Sequence, residues 1–156
     1  MAKYSELFRN PVKGARSDRV DEIIDPDSLE TEQGFTLLFV DDEDILVELN
    51  LSRFSKMGYK AVGTTSPLEA LHIFKAEPQE FDLVITDFTM PEMMGLDLAK
   101  EILVIKPDVP VILFSGLDET VALEKVRETG IRAYASKVAG RQEVQELIQQ
   151  VIEGKK

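Results

Sequence analysis

From residue 35 onward, two patterns of apolar and polar positions alternate along the chain. Short apolar-rich runs at 35–41, 59–64, 82–87, 109–115 and 131–136 read as strands, most of them apolar enough to be covered on both faces. Between them, segments near 43–57, 66–76, 95–105, 118–129 and 141–153 place apolar residues at helical spacing. The punctuation agrees. Gly58 and Gly130 close helices, Pro78 and Pro107 stop them, and Ser66-Pro67-Leu68-Glu69 is a capping box with proline at the first helical position. The last helix has a clear apolar stripe of Val144, Leu147, Ile148, Val151 and Ile152, whereas the helix at 118–129 has only the loose set Val121, Ala122 and Val126. Five β-α units predict an α/β fold, a doubly wound five-stranded parallel sheet with five helices on its two faces. Right-handed crossovers favour the flavodoxin-like strand order 2-1-3-4-5.

Residues 1–34 do not share this pattern. They are polar and broken by Pro11, Gly14, Pro26 and Gly34, with small apolar groups at Tyr4, Leu7 and Phe8 and at Val20, Ile23 and Ile24. The expected organisation is a leader over 1–34, flexible or partly helical, followed by one domain over 35–156.

Composition narrows the function classes. At 44% hydrophobic residues the chain can build a full core. A net charge of -11 argues against direct nucleic-acid binding, because phosphates would go unneutralised. The absence of cysteine removes disulfides and thiolate chemistry, which fits a cytoplasmic protein. No apolar run is long enough to span a membrane.

The predicted register carries the chemistry. Strand 1 ends at Asp41-Asp42 and strand 3 at Asp87, neighbours in the expected order. Three crowded carboxylates are unfavourable unless a cation joins them or one stays protonated. Few carboxylates with room for water and a phosphoryl oxygen suit Mg2+. Asp87 is then available as a nucleophile toward phosphorus, forming an acyl phosphate. Ser115, ending strand 4, would offer a hydroxyl to a phosphoryl oxygen, and Lys137, after strand 5, a compact positive charge. Phosphoryl transfer needs mainly positioning and charge neutralisation, so this set suffices.

With these residues in place, the chain resembles the receiver domain of two-component response regulators over about 36–153, including the stand-alone and hybrid-kinase C-terminal types. The resemblance implies catalytic roles for Asp87, Lys137 and Ser115. It implies a metal shell of Asp41, Asp42, Asp87 and the backbone carbonyl of Thr89, and a switch pair of Ser115 and Tyr134. Met90-Pro91-Glu92-Met93-Met94-Gly95 resembles the family's Met-Pro-x-Met-Asp-Gly loop, with Met94 in place of Asp. The implied partners are a histidine kinase or histidine phosphotransfer protein and a downstream protein, with homodimerisation allowed through the helix 4 to helix 5 surface. No output domain is evident in the sequence, so signalling is expected through protein–protein contacts, and catalysis only of the domain's own phosphorylation and dephosphorylation.

One departure bears on geometry. Val138 follows Lys137 where the family usually has proline in a cis bond. A cis bond before valine costs about 2.5–4 kcal/mol, so this loop is expected to be trans and repositioned, which bears on the reach of Lys137. Two other readings remain open on sequence. One is a receiver-fold scaffold that does not cycle phosphate, with the leader modulating the output face. The other is an aspartate-nucleophile phosphatase of the haloacid-dehalogenase type, for which Asp42-Glu43-Asp44 followed by Ile45 is a poor match. His72, the sole histidine, is expected to face water, and Met90, Met93 and Met94 to serve as loop packing.

Overall fold

The computed structural model describes residues 35–116 and 119–154, and the backbone alone at 119–122. The leader and its apolar groups lie outside the described residues. The elements run in chain order as β1 Thr36–Val40, α1 Asp44–Lys56, β2 Lys60–Thr64, α2 Pro67–Ala76, a 3-10 turn at Pro78–Glu80, β3 Leu83–Asp87, α3 Gly95–Ile105, β4 Val111–Ser115, α4 Glu119–Thr129, β5 Ala133–Ser136 and α5 Arg141–Gly154. The strands are all parallel in the order β2-β1-β3-β4-β5.

Strand periodicity divides the core. Successive side chains point to opposite faces. Leu38, Val40, Val84, Val111 and Leu113 therefore join α2 and α3 in one cluster, with Ile73, Phe74, Leu98 and Ile102. Leu37, Phe39, Leu83, Ile85, Ile112 and Phe114 join α1 and α5 in the other, with Phe54, Val144 and Ile148. β1 and β3, central in the sheet, are apolar on both faces for this reason.

The differences from the expected boundaries have local causes. β4 starts at Val111 because Pro110 has no N–H to give the ladder, although its carbonyl still accepts from Val84 N at 3.1 Å. The 3-10 turn at Pro78–Glu80, read in the sequence only as a helix stop, is braced by a buried cation. Lys106 Nζ donates to the carbonyl of Phe81 at 2.9 Å and of Pro78 at 3.4 Å. The capping box is relayed rather than reciprocal. Ser66 Oγ accepts from Glu69 N at 3.1 Å, but the Glu69 carboxylate takes a hydrogen bond from Thr64 Oγ1 at 2.6 Å, and Thr64 Oγ1 accepts from Ser66 N at 3.1 Å.

Candidate functional site

The carboxyl ends of β1, β3, β4 and β5 form one rim, and each contributes a polar group to it. Asp41 follows β1. Its N–H donates to Thr64 O at 3.3 Å, and its Oδ1 accepts from Glu43 N at 3.0 Å, a turn that fixes the carboxylate as it starts α1. Asp42, next in the chain, is exposed. Asp87 is the last residue of β3 and is buried. Phe88 N, donating to Phe114 O at 3.1 Å, continues the pairing with β4 and holds this strand end. Asp41, Asp42 and Asp87 each offer a carboxylate oxygen, and these atoms all lie within 4.8 Å of one another.

Lys137 closes the group from the loop after β5. Its Nζ is 3.1 Å from Asp87 Oδ1, 3.3 Å from Asp41 Oδ2 and 4.0 Å from Glu43 Oε1. Ser115, at the end of β4, is buried, and its carbonyl accepts from Lys137 N at 3.1 Å. Asp42, Asp87, Thr89, Ser115, Gly116 and Lys137 line an open cleft of about 320 Å3 together with Phe88. Tyr134 stands half-buried on β5, opposite Leu113, and lines a separate cleft between β5 and α5. The structure thus gathers Asp41, Asp42, Asp87, Thr89, Ser115 and Lys137 around one opening and places Tyr134 along the neighbouring edge strand.

The electrostatics follow from the crowding. Burial, and then the charge of Asp41, push the Asp87 carboxyl up from 3.8 to about 6, against the opposing pull of Lys137 and the Phe88 N–H. Burial alone would lower the Lys137 pKa. Its hydrogen bond to Asp87 and the charges of Asp87 and Asp41 outweigh this and raise it, so the lysine is held as a cation.

The loop after Asp87 is built around a close approach. A Cβ on Gly95 would collide with the carbonyl oxygen of Asp87 and lie 3.0 Å from its carbonyl carbon. Gly95 N instead donates to Phe88 O at 2.9 Å. Within the loop Glu92 has φ 73°, and Met93 N donates to Pro91 O at 2.7 Å across it, a tight three-residue turn. The Glu92 carboxylate accepts from Ser66 Oγ at 3.2 Å, tying this loop to the cap of α2. Met90 is buried in the core, and Met93 packs against it. His72 is exposed.

No described peptide bond is cis, so Lys137-Val138 is trans as expected, yet the lysine reaches both carboxylates. Val138 itself is 91% exposed. Sequence reasoning did not single out Glu43 near the lysine, the contact of Gly95 with the strand end, or the polar contacts of α1 with the β5–α5 loop. Only Gly95 had a signal, as a glycine soon after a strand.

The family profile described as "Response regulator receiver domain" matches residues 37–149. Among curated proteins, the response regulator SaeR of Staphylococcus aureus is 38% identical over 80 residues, covering 51% of this chain and 34% of the relative. The chain therefore spans about a third of the length of the curated relatives it matches. Among solved structures, a response regulator receiver domain protein from Clostridium thermocellum superposes with a TM-score of 0.73 at 27% identity, covering 78% of this chain and 96% of that one. The Vibrio cholerae chemotaxis protein CheY4 gives a TM-score of 0.69 at 21% identity, covering 75% and 98%, a likeness of fold alone.

Proposed function

The chain belongs to the response regulator receiver domain family, and from that premise we propose that it is a phosphoacceptor signalling module in which Asp87 takes up the phosphoryl group. The observation that carries this reading is the ammonium of Lys137 between the buried carboxylates of Asp87 and Asp41, on a cleft that Ser115 also lines.

The donor is the phosphohistidine of a histidine kinase or of a histidine phosphotransfer protein. A carboxylate oxygen of Asp87 attacks phosphorus. As the new O–P bond forms, the P–N bond breaks and its electron pair returns to the imidazole, leaving an acyl phosphate on Asp87. Lys137 then pairs with a phosphoryl oxygen, and the Ser115 hydroxyl donates to another. Water attacking the same phosphorus returns the carboxylate and inorganic phosphate. In this reading the chain catalyses nothing beyond its own phosphorylation and dephosphorylation.

The donor set fits Mg2+. All candidate ligands are oxygens, they are few, and Asp41 and Asp87 are too buried for one ammonium to satisfy three carboxylates. Asp41, Asp42, Asp87 and the carbonyl of Thr89 would hold it, and when bound it supplies neutralising charge for the transferred phosphoryl group. Ser115 drawn toward the phosphoryl oxygens would leave space for Tyr134 to turn inward. That would change the α4–β5–α5 face offered to a downstream protein or a second copy of the chain. No helix among the described residues is long and apolar enough to cross a membrane; we place the module in the cytoplasm, with its kinase partner. Residues 35–156 form the receiver in this reading; the leader over 1–34 modulating the output face belongs to the alternative scaffold reading.

Val138 after Lys137 is the feature that favours a scaffold that does not cycle phosphate, and the distances made by Lys137 weigh against it. The test is intact mass after incubation with acetyl phosphate and Mg2+, for the wild type beside Asp87→Asn. A single phosphoryl gain that needs Mg2+ and is absent in the variant is expected. No gain by folded wild type would hand the case to the scaffold.

A further inference from the structure

Lys137 can act only if the loop that carries it is held, and the side chain that follows it holds nothing. Val138 is 91% exposed, and at Gly140, two residues on, a Cβ would meet nothing within 4 Å. Within the loop, Val138 N donates to Ser136 Oγ at 3.2 Å and Ala139 N to Ser136 O at 3.0 Å. These bonds shape the turn but tie it only to its own strand end.

Lys137 N ties the start of the loop to β4 through Ser115 O at 3.1 Å, and Ala139 packs against the core beside α1 and α5. The side-chain tie farther along the loop comes from α1. Arg53 Nη2 donates to Ala139 O at 3.4 Å, and Arg53 Nη1 donates to Asn50 Oδ1 at 3.3 Å. Asn50 is itself buried, and its Nδ2 donates to Leu46 O at 2.8 Å, one turn back along the helix. The amide is thus oriented by the helix backbone, the guanidinium by the amide, and the loop carbonyl by the guanidinium. Planar Arg is suited to this because its separate N–H groups reach two acceptors at once. An asparagine buried on the core side of a helix, where an apolar residue would pack without needing partners, makes sense if its polar atoms have a task.

We propose that Arg53, oriented by Asn50, is a positioning residue for Lys137: it anchors the β5–α5 loop at Ala139 and so keeps the ammonium between Asp87 and Asp41. The proposal rests on the phosphoacceptor reading for its consequence, but not for its geometry.

The experiment compares wild type, Arg53→Met, Arg53→Lys and Asn50→Leu in the full chain. Methionine keeps much of the aliphatic packing, and leucine fills the asparagine site. Two readouts are taken: the rate of phosphoryl gain from acetyl phosphate with Mg2+, and amide hydrogen exchange at Lys137, Val138 and Ala139 without any phosphodonor. In Arg53→Met the expected results are exchange at these three amides accelerated on the order of tenfold and phosphoryl gain slowed on the order of tenfold, the size of losing a supporting contact. Exchange in the β1 and β3 strands should be unchanged. Asn50→Leu should follow in the same direction, and Arg53→Lys should recover part of both effects. Unchanged loop exchange in Arg53→Met overturns the proposal, as does faster loop exchange with an undiminished phosphorylation rate. If even the wild type takes up no phosphoryl group, the phosphoacceptor reading fails by itself. The exchange data then decide the anchoring role: local acceleration supports it and its absence removes it.

Discussion

At the scale of single residues, the site is a balance between a carboxyl that is hard to ionise and a lysine that is hard to discharge. The Asp87 carboxyl is raised from 3.8 to about 6 by burial and then by Asp41. A raised carboxyl means the folded chain holds this proton more tightly than the unfolded one. Its favourable contribution is therefore complete below about 4 and is lost as pH rises through about 6, an effect of about 3 kcal/mol. In metal-free buffer Asp87→Asn is expected to melt above the wild type at pH 8, with the gap closing toward pH 4, as thermal melts across that range would report. Mg2+ at a hundred times its Kd should then raise the wild type alone, by about 2.7 kcal/mol. Lys137→Met should behave oppositely. It leaves Asp41 and Asp87 buried without their ammonium and should lower stability at pH 8 by about 3 kcal/mol, a loss that Mg2+ recovers in part. The residues of this balance were legible because each ends a strand, and a parallel register fixes where strand ends meet. Glu43 near Lys137 was not legible, since side-chain direction rather than register brings it there.

At the scale of elements, the joints around the site decide its precision. Gly95 opens α3 with its Cα against the carbonyl of Asp87, so Gly95→Ala must move either the helix start or the strand end. The expected outcome is a loss of about 3 kcal/mol in denaturant melts, together with slower phosphoryl uptake, because the displaced backbone belongs to the proposed phosphoacceptor. Ser66 caps α2 and also holds Glu92. Ser66→Ala should lose about 1 kcal/mol for the cap, and amide exchange at 92–95 should quicken as the turn at Glu92 loses its tie. The start of α2 was readable in advance, since serine, proline and glutamate at that spacing mean the same thing in any chain. The detour of Glu69 to Thr64 was not, because it depends on β2 ending just where the helix begins. The brace of Lys106 on the 3-10 turn was hidden for a similar reason: its acceptors lie more than twenty residues away.

At the scale of the molecule, two clusters on the faces of one sheet account for the core of the described residues. The strand order was legible because β-α alternation with right-handed crossovers leaves few arrangements. The anchoring of one loop by a helix surface was not, because nothing in a periodic pattern says which polar side chain will turn toward a distant carbonyl. The bridging lysine described above also sets an account of valence. Asp41, Asp42 and Asp87 set three carboxylates against one ammonium, so once Asp87 is ionised these groups are short by two positive charges, apart from the exposed Glu43 at the edge. A single monovalent ion would leave that deficit half filled, whereas one divalent ion would close it, so the proposed metal site would favour an ion by its charge before size or coordination number enters.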